Sequence, residues 1–243
     1  MSTTKEQLDQ IAKNYHLNED QRDMFIEHAA QDFACSWISK NITKTDKVLE
    51  LGYGDGIVTS KLKSFGDSYT VIEGSPNIAE QAKNEHPEIE VVCSLFEDFK
   101  STLKYDKIIA GHVLEHVDNP IEILLKIKSW MHESSEIIVI VPNANSIHRQ
   151  LAVLMGLQEK LDTLSKRDHL VGHQRVYTPE SLEADIQASG LKTLERSGFF
   201  LKSLPNSMML DYSEDLIKAM NSISEQMPFQ ILSNLAFRLG RSE

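Results

Sequence analysis

Residues 47–62 read KVLELGYGDGIVTSKL. An apolar run at 47–51 leads into Gly52, Gly54 and Gly56, and then into residues at helical spacing. A strand, a glycine turn and a helix in that order bring a backbone close to a nucleotide. A dinucleotide turn reads Gly-x-Gly-x-x-Gly and sets a pyrophosphate against the helix N-terminus. Here the third glycine arrives one residue early. Glu50, two residues before the first glycine, would repel a pyrophosphate and attract an ammonium or sulfonium. Glu73 closes the next apolar run roughly 20 residues on, where an acid accepts hydrogen bonds from ribose hydroxyls. The pattern describes a ligand with a ribose and a positive charge but no phosphate.

Outward from this stretch, β-rich apolar runs alternate with helical patterns, as in parallel βαβ units. The strand candidates are 47–51, 69–73, 89–93, 105–110 and 136–141, with two more in the tail at 191–200 and 232–239. The helix from Asn119-Pro120 is expected to put Ile121, Leu124, Leu125 and Ile127 on one face, with Lys126 and Lys128 outside. The spacing predicts helix within residues 1–46, forming a lid or flank, and domain boundaries of 1–46 and 47–243. After the fifth strand, 143–189 reads as an insertion, with a further helix starting at Thr178-Pro179. The expected fold is α/β: a doubly wound, mostly parallel sheet of seven strands with helices on both faces.

S-adenosylmethionine has the ligand chemistry that Glu50, the glycines and Glu73 describe. VLELGYGDG resembles the first motif of the class I S-adenosylmethionine-dependent methyltransferases, and Glu73 falls at that family's acidic position after the second strand. VVCSLFEDF is similar to the segment that contacts adenine. YDKIIAGHVLEHVDNP is similar to the fourth-strand motif of the ubiquinone-biosynthesis-like small-molecule members. The resemblance covers roughly 45–200 and implies a Rossmann-like methyltransferase fold. It implies cofactor contacts from Glu50, Gly52, Gly54, Glu73, Gly74, Ser94, Leu95, Phe96, Gly111 and His112. Ser94 stands where the family often carries Asp, so adenine would be held by its hydroxyl or by the Leu95 and Phe96 amides.

Composition narrows the partners. The 243 residues carry a formal net charge of −11, which argues against nucleic acid. SKRDH at 165–169 is the one modest basic patch. The longest apolar run, IIVIV at 137–141, is too short to span a bilayer. Two isolated cysteines, Cys35 and Cys93, make no disulfide framework, so a soluble, cytoplasmic setting is expected. The apolar C-terminal segment would allow a homodimer.

Methyl transfer is an in-line displacement that needs positioning and, for a neutral hydroxyl, a base. Histidine suits that task near neutral pH. One group is His112, Glu115 and His116, expected on one face of a helical turn at the end of strand four. Two imidazoles and a carboxylate suit a divalent metal, and some ubiquinone-type relatives carry a comparable triad. Here His112 stands where those relatives have Glu, so no metal is expected. The second group is RDHLVGHQRVYT at 167–178, with Arg167, His169, His173, Arg175 and Tyr177. The two arginines suit a carboxylate or phosphate; a solvated loop with local ion pairs is the plainer account. His173 is the first choice for the base and His112 the second, with His116, Arg167, His169, Arg175 and Tyr177 on the acceptor side. Tyr15 would join them from a lid, or belong to a plain surface helix. Phe199, Phe200, Met208 and Met209 read as core.

The expected function is methyl transfer to an oxygen or nitrogen of a small polar acceptor: a sugar, a sugar nucleotide or a natural-product intermediate. A cofactor-binding partner subunit without turnover is the alternative from another class. A nicotinamide oxidoreductase is disfavoured by Glu50 and the early glycine.

Overall fold

The computed structural model describes residues 4–16 and 23–242, with the side chains of 13–16 left aside. Seven strands form one sheet: β1 (Lys47–Leu51), β2 (Ser68–Glu73), β3 (Glu90–Cys93), β4 (Tyr105–Gly111), β5 (Met131–Pro142), β6 (Leu191–Phe199) and β7 (Asn234–Arg241). Their spatial order is β3-β2-β1-β4-β5-β7-β6. The first five run parallel, and β7 lies antiparallel between β5 and β6. All seven expected strands are present. Strands buried on both faces are near-continuous apolar runs, as β1 and the 137–141 half of β5 are. β5 begins earlier than its apolar pattern, at Met131. Its polar first half is held to β4 by Ser135, whose hydroxyl donates to the Tyr105 carbonyl at 2.6 Å.

Helices cover both faces. On one, α5 (Pro120–Ser129) and α8 (Pro179–Ala188) bury Ile123, Leu124, Ile127, Leu182 and Ile186 against the sheet. On the other, α2 (Met24–Ser39), α3 (Ile57–Leu62), α4 (Pro76–Glu85) and α9 (Glu214–Ile223) bury Ile26, Ile38, Leu62, Ala79 and Ile217. The α5 stripe differs from the expected one. Pro120, Ile123, Leu124 and Ile127 follow the helical period inward, whereas Leu125 falls on the outer face and is 49% exposed. Sequence signals do mark the helix starts. Ser75 and Asn119 cap α4 and α5 ahead of a proline, and Thr178 forms a reciprocal capping box with Ser181 at α8. Cys35 in α2 and Cys93 in β3 are free thiols. Among the described residues, no helix is long and apolar enough to cross a membrane.

Two features position the site. The chain runs outward from β1 through β2 to β3, then returns to place β4 on the other side of β1. Ligands of open α/β sheets gather beyond the strand ends at such a reversal. Above it lie α1 (Lys5–His16) and α7 (Lys166–Leu170), which contact each other. Lys5 of α1 donates to the Cys93 carbonyl at 3.3 Å, and Asp9 accepts from the Ser75 hydroxyl and from the Asn77 amide. Leu8 of α1 sits so close to Gly74 that a Cβ there would collide with it. The N-terminal helix therefore covers the carboxyl edge of β2 and β3.

Candidate active site

A cleft of about 1420 Å³ opens over the carboxyl ends of β1, β2 and β4. It exceeds the ~300–1,000 Å³ of ordinary small-molecule pockets, leaving room for a cofactor and an acceptor together. Its floor is the glycine turn. Gly52 and Gly54 have φ of +78° and +58°, a region costly for any residue with a Cβ, and nothing lies within 4 Å of where a Cβ would stand. Backbone conformation rather than crowding requires glycine there, and the open space faces the cleft. Glu73 braces the turn: its carboxylate accepts from the Tyr53 amide at 2.9 Å and the Ser75 amide at 2.7 Å. Burial raises its pKa despite these donors. The Gly74 and Gly54 amides also act on it, so backbone amides of the turn surround this carboxylate.

Glu50 is buried, and one of its oxygens accepts from the Thr59 hydroxyl at 2.5 Å and the Tyr69 hydroxyl at 2.8 Å. Burial, outweighing these donors, pushes its pKa up to about 8. A pKa of about 8 makes the Glu50 charge one that a cationic ligand would draw out, where the sequence reading expected a standing carboxylate. At the adenine end, the Ser94 hydroxyl donates to the Leu95 carbonyl at 2.9 Å, which leaves it only lone pairs for a ligand.

The acceptor half is built around the end of β4. Residues 112–116 form turns instead of the expected helical turn, because His112 takes a left-handed conformation at φ +55°. That conformation is uncommon for a residue with a side chain and is found where a site fixes it. His112 Nδ1 lies 2.9 Å from Glu115 Oε1. Burial works against charge on His112, but the Glu115 hydrogen bond and charge outweigh it and its pKa is raised. Glu115 is fully buried, and its Oε2 has no partner among the described residues. Burial pushes the His116 pKa down to about 4, so this imidazole is neutral.

His173 packs edge-on against His116, with ring centroids 4.6 Å apart. Its Nδ1 lies 2.8 Å from Asp168 Oδ1. Asp168 also accepts from Arg149 at 3.1 Å and from the Ser165 amide at 2.7 Å. Burial opposes its charge, but the His173 and Ser165 hydrogen bonds hold its pKa far below the usual carboxylate range. An anionic Asp168 can only accept, so His173 Nδ1 is the donor of this bond and the ring is held in one orientation. Glu115, His116 and His173 also place one potential ligand atom each within 4.8 Å of one another. With the orphaned Glu115 oxygen, this donor set fits a divalent ion.

The cleft wall includes Glu50, Gly52, Gly54, Glu73, Gly74, Ser94, Leu95, Phe96, Gly111, His112, His116, Arg167 and His173. Three expected acceptor residues lie outside it. Arg175 donates to the carbonyls of Leu114, Val117 and Asp118, tying the loop after β4. Tyr177 is buried and donates to Asp185 at 3.0 Å, and His169 is exposed on α7. Arg167 reaches the cleft but is held by Asp23 at 2.6 Å. The side chain of Tyr15 falls outside the described residues. Phe199, Phe200 and Met209 are buried as expected, whereas Met208 is 45% exposed.

Several site residues escaped the sequence reading: Asp168, His148, Arg149, Lys202 and Gln31, whose amide donates to Asp55 of the glycine turn at 3.0 Å. Only Asp168 left a local trace, as the third residue after the cap Ser165.

Comparison with known proteins agrees with this geometry. The family model of a methyltransferase domain matches residues 25–196. A ubiquinone biosynthesis O-methyltransferase from Rhodopseudomonas palustris is 25% identical over 195 residues, covering 76% of each chain. One from Rickettsia canadensis is 24% identical over 224 residues, covering 86% of this chain and 92% of its own. The solved structure of an S-adenosylmethionine-dependent methyltransferase from Thermotoga maritima superposes with a TM-score of 0.63 at 16% identity, covering 95% of this chain and 98% of that one. A glycine turn braced by an acid, a strand order reversing above it and a matching family model over most of the chain lead to one assignment: the chain belongs to the S-adenosylmethionine-dependent methyltransferases.

Proposed function

We propose that the protein transfers the methyl group of S-adenosylmethionine to a hydroxyl oxygen of a small acceptor, with His173 as the base. The Asp168–His173 pair carries this reading: a buried carboxylate holds one nitrogen of an imidazole whose residue lines the cleft. Chemically, the acceptor oxygen attacks the sulfonium methyl, the carbon–sulfur bond breaks toward S-adenosylhomocysteine, and Nε2 takes the hydroxyl proton. Relatives that carry the name ubiquinone biosynthesis O-methyltransferase favour oxygen over nitrogen.

The test is methylation of a panel of hydroxylated aromatic and sugar acceptors, followed by turnover of His173→Ala and Asp168→Asn. His173→Ala should lower turnover roughly 100-fold or more, the scale of losing general-base catalysis, with S-adenosylhomocysteine affinity unchanged. Full turnover by His173→Ala, or N-methylated products, would refute it. A second reading rests on the orphaned Glu115 oxygen, which together with His116 and His173 suits a divalent ion. Such an ion would lower the pKa of a bound acceptor hydroxyl. Chelator-sensitive turnover restored by added Mg²⁺ or Zn²⁺ would move His173 from base to ligand.

A further inference from the structure

The far wall of the cleft contains polar groups with nothing bonded to them. The Lys202 ammonium lines it with no hydrogen bond and no ion pair within 4.0 Å among the described residues. His148 Nδ1 and Asn206 Oδ1 are buried without partners, and both side chains line the same cleft. Unsatisfied buried polar atoms are rare in folded proteins and call for a reason. A donor with no acceptor beside two acceptors with no donor is the complement of a ligand that has both.

The backbone holds Lys202 in place. Two residues earlier, Phe200 has φ +65°, a strained conformation for an aromatic residue. Its carbonyl accepts from the Lys202 amide at 2.8 Å and the Ser233 amide at 2.9 Å, which locks the turn.

Four charges face Lys202: Glu27 and Asp23 at the start of α2, Arg167 on α7 and Arg149 on α6 (Ile147–Leu154). Burial lowers the Lys202 pKa and Glu27 opposes this most, while each of the four also has a partner of its own. Asp23 accepts from Arg167 at 2.6 Å and from Asn206 at 2.9 Å. Glu27 accepts from Asn206 at 2.5 Å and lies 3.9 Å from Arg167. Arg149 serves Asp168 and the carbonyls of Leu161 and Thr163. Both guanidiniums are committed, so among the described residues the lysines lining the cleft without a hydrogen bond or ion pair of their ammonium are Lys202, on this wall, and the exposed Lys166. Burial, with Lys202 and Arg149 adding to it, pushes the His148 pKa down to about 2, so that imidazole is neutral and can accept from a hydroxyl.

We propose that Lys202 selects an anionic acceptor, a hydroxylated carboxylic acid whose carboxylate bonds the Lys202 ammonium while a hydroxyl donates to His148 Nδ1. This rests on the reading of the cleft as a methyl-acceptor site. It transfers the anion-binding role expected of Arg167 and Arg175 to a residue in the tail.

Protocatechuate and its neutral primary amide make a suitable probe pair, since they share both hydroxyls and differ in charge. Each is titrated by calorimetry into the full chain saturated with S-adenosylhomocysteine, for the wild type, Lys202→Gln and Lys202→Arg. The acid should bind the wild type at least tenfold tighter than the amide. Lys202→Gln should abolish that preference and Lys202→Arg retain most of it. Equal binding of acid and amide by the wild type, no measurable binding of the acid, or a preference that survives Lys202→Gln overturns the proposal. S-adenosylhomocysteine affinity is read in the same samples. Its loss in the wild type would fault the cofactor assignment, and its loss only in Lys202→Gln would mark a misfolded variant, leaving the wild-type acid-to-amide comparison to decide.

Discussion

On the cofactor side of the cleft, acidic groups find their partners nearby in the chain. Glu50 accepts from residues 9 and 19 positions away, and Glu73 from residues 20 and 2 positions away. On the acceptor side, Asp23 is tied to Arg167 and Asn206 across 144 and 183 positions. There Glu115 Oε2, His148 Nδ1 and Asn206 Oδ1 also stay unpaired, against Gln31 Oε1 alone beside the glycine turn among the described residues. The cofactor half is a preformed frame in which backbone amides and carboxylates already satisfy one another. Its ligand needs only the remaining acceptor positions and the space over Gly52 and Gly54. The acceptor half keeps desolvated polar atoms in reserve for a ligand, at a cost of about 1–3 kcal/mol for each one left unmet. A site of this kind discriminates, because a wrong acceptor leaves the same atoms unpaired.

The sharpest way to break this contrast is at Glu73. If the cofactor half is a braced frame, Glu73→Ala removes ribose acceptors and two supports of the turn at once. Calorimetry should show S-adenosylhomocysteine binding weakened by about 1–3 kcal/mol, the scale of lost charged hydrogen bonds. An unchanged affinity would mean that the ribose is held elsewhere. Glu73→Gln should fall in between, since it keeps an acceptor oxygen but loses the charge.

The same contrast explains what was legible in the sequence. All seven strands, the glycine turn and Glu73 lie in short windows where local patterning decides the structure. Each expected cofactor contact then follows from a motif of a few residues. The acceptor side is assembled from α2, the loop after β4, α6, α7 and the Phe200 turn, which only the folded chain brings together. Arg175 shows why residue type misleads there. A guanidinium suits an anion, but it suits three backbone carbonyls equally, and those of Leu114, Val117 and Asp118 were nearer. Lys202 lies in an unremarkable stretch of tail, and the role proposed for it rests on what the neighbouring guanidiniums are already bonded to.

A smaller effect should follow from Glu50. Its pKa, pushed up to about 8, lies above the ordinary carboxylate value. The native state therefore holds a proton that the unfolded chain releases, and this group withdraws stability as pH rises from the carboxylate range through about 8. A cationic ligand favours the carboxylate, so binding at pH 7 should release a proton from Glu50. Affinity then rises with pH by at most about tenfold per unit up to that pKa. Calorimetry in two buffers of different ionisation enthalpy reads the proton directly. Glu50→Gln should release less than the wild type and should flatten the fall in thermal stability between pH 5 and 8. Equal proton release by the two proteins would show that Glu50 does not sense the ligand's charge.

The smallest expected effect tests whether the line between frame and recognition is drawn correctly on the acceptor side. Tyr177 is buried, and its hydroxyl is used by Asp185 of α8, eight residues along the chain. Its amide donates to the Pro142 carbonyl and its carbonyl accepts from the Ala144 amide, so it fastens the end of β5 to the start of α8. Tyr177→Phe keeps the ring in the core and deletes one hydrogen bond. It leaves Asp185 free to turn toward water, because that residue is half-buried. Thermal denaturation should record a loss of about 1 kcal/mol, typical of one buried hydrogen bond. The acceptor KM should stay at the wild-type value, since the hydroxyl does not face the cleft. A raised KM with unchanged stability would place Tyr177 among the recognition groups and would mean that the acceptor pocket extends beyond β5.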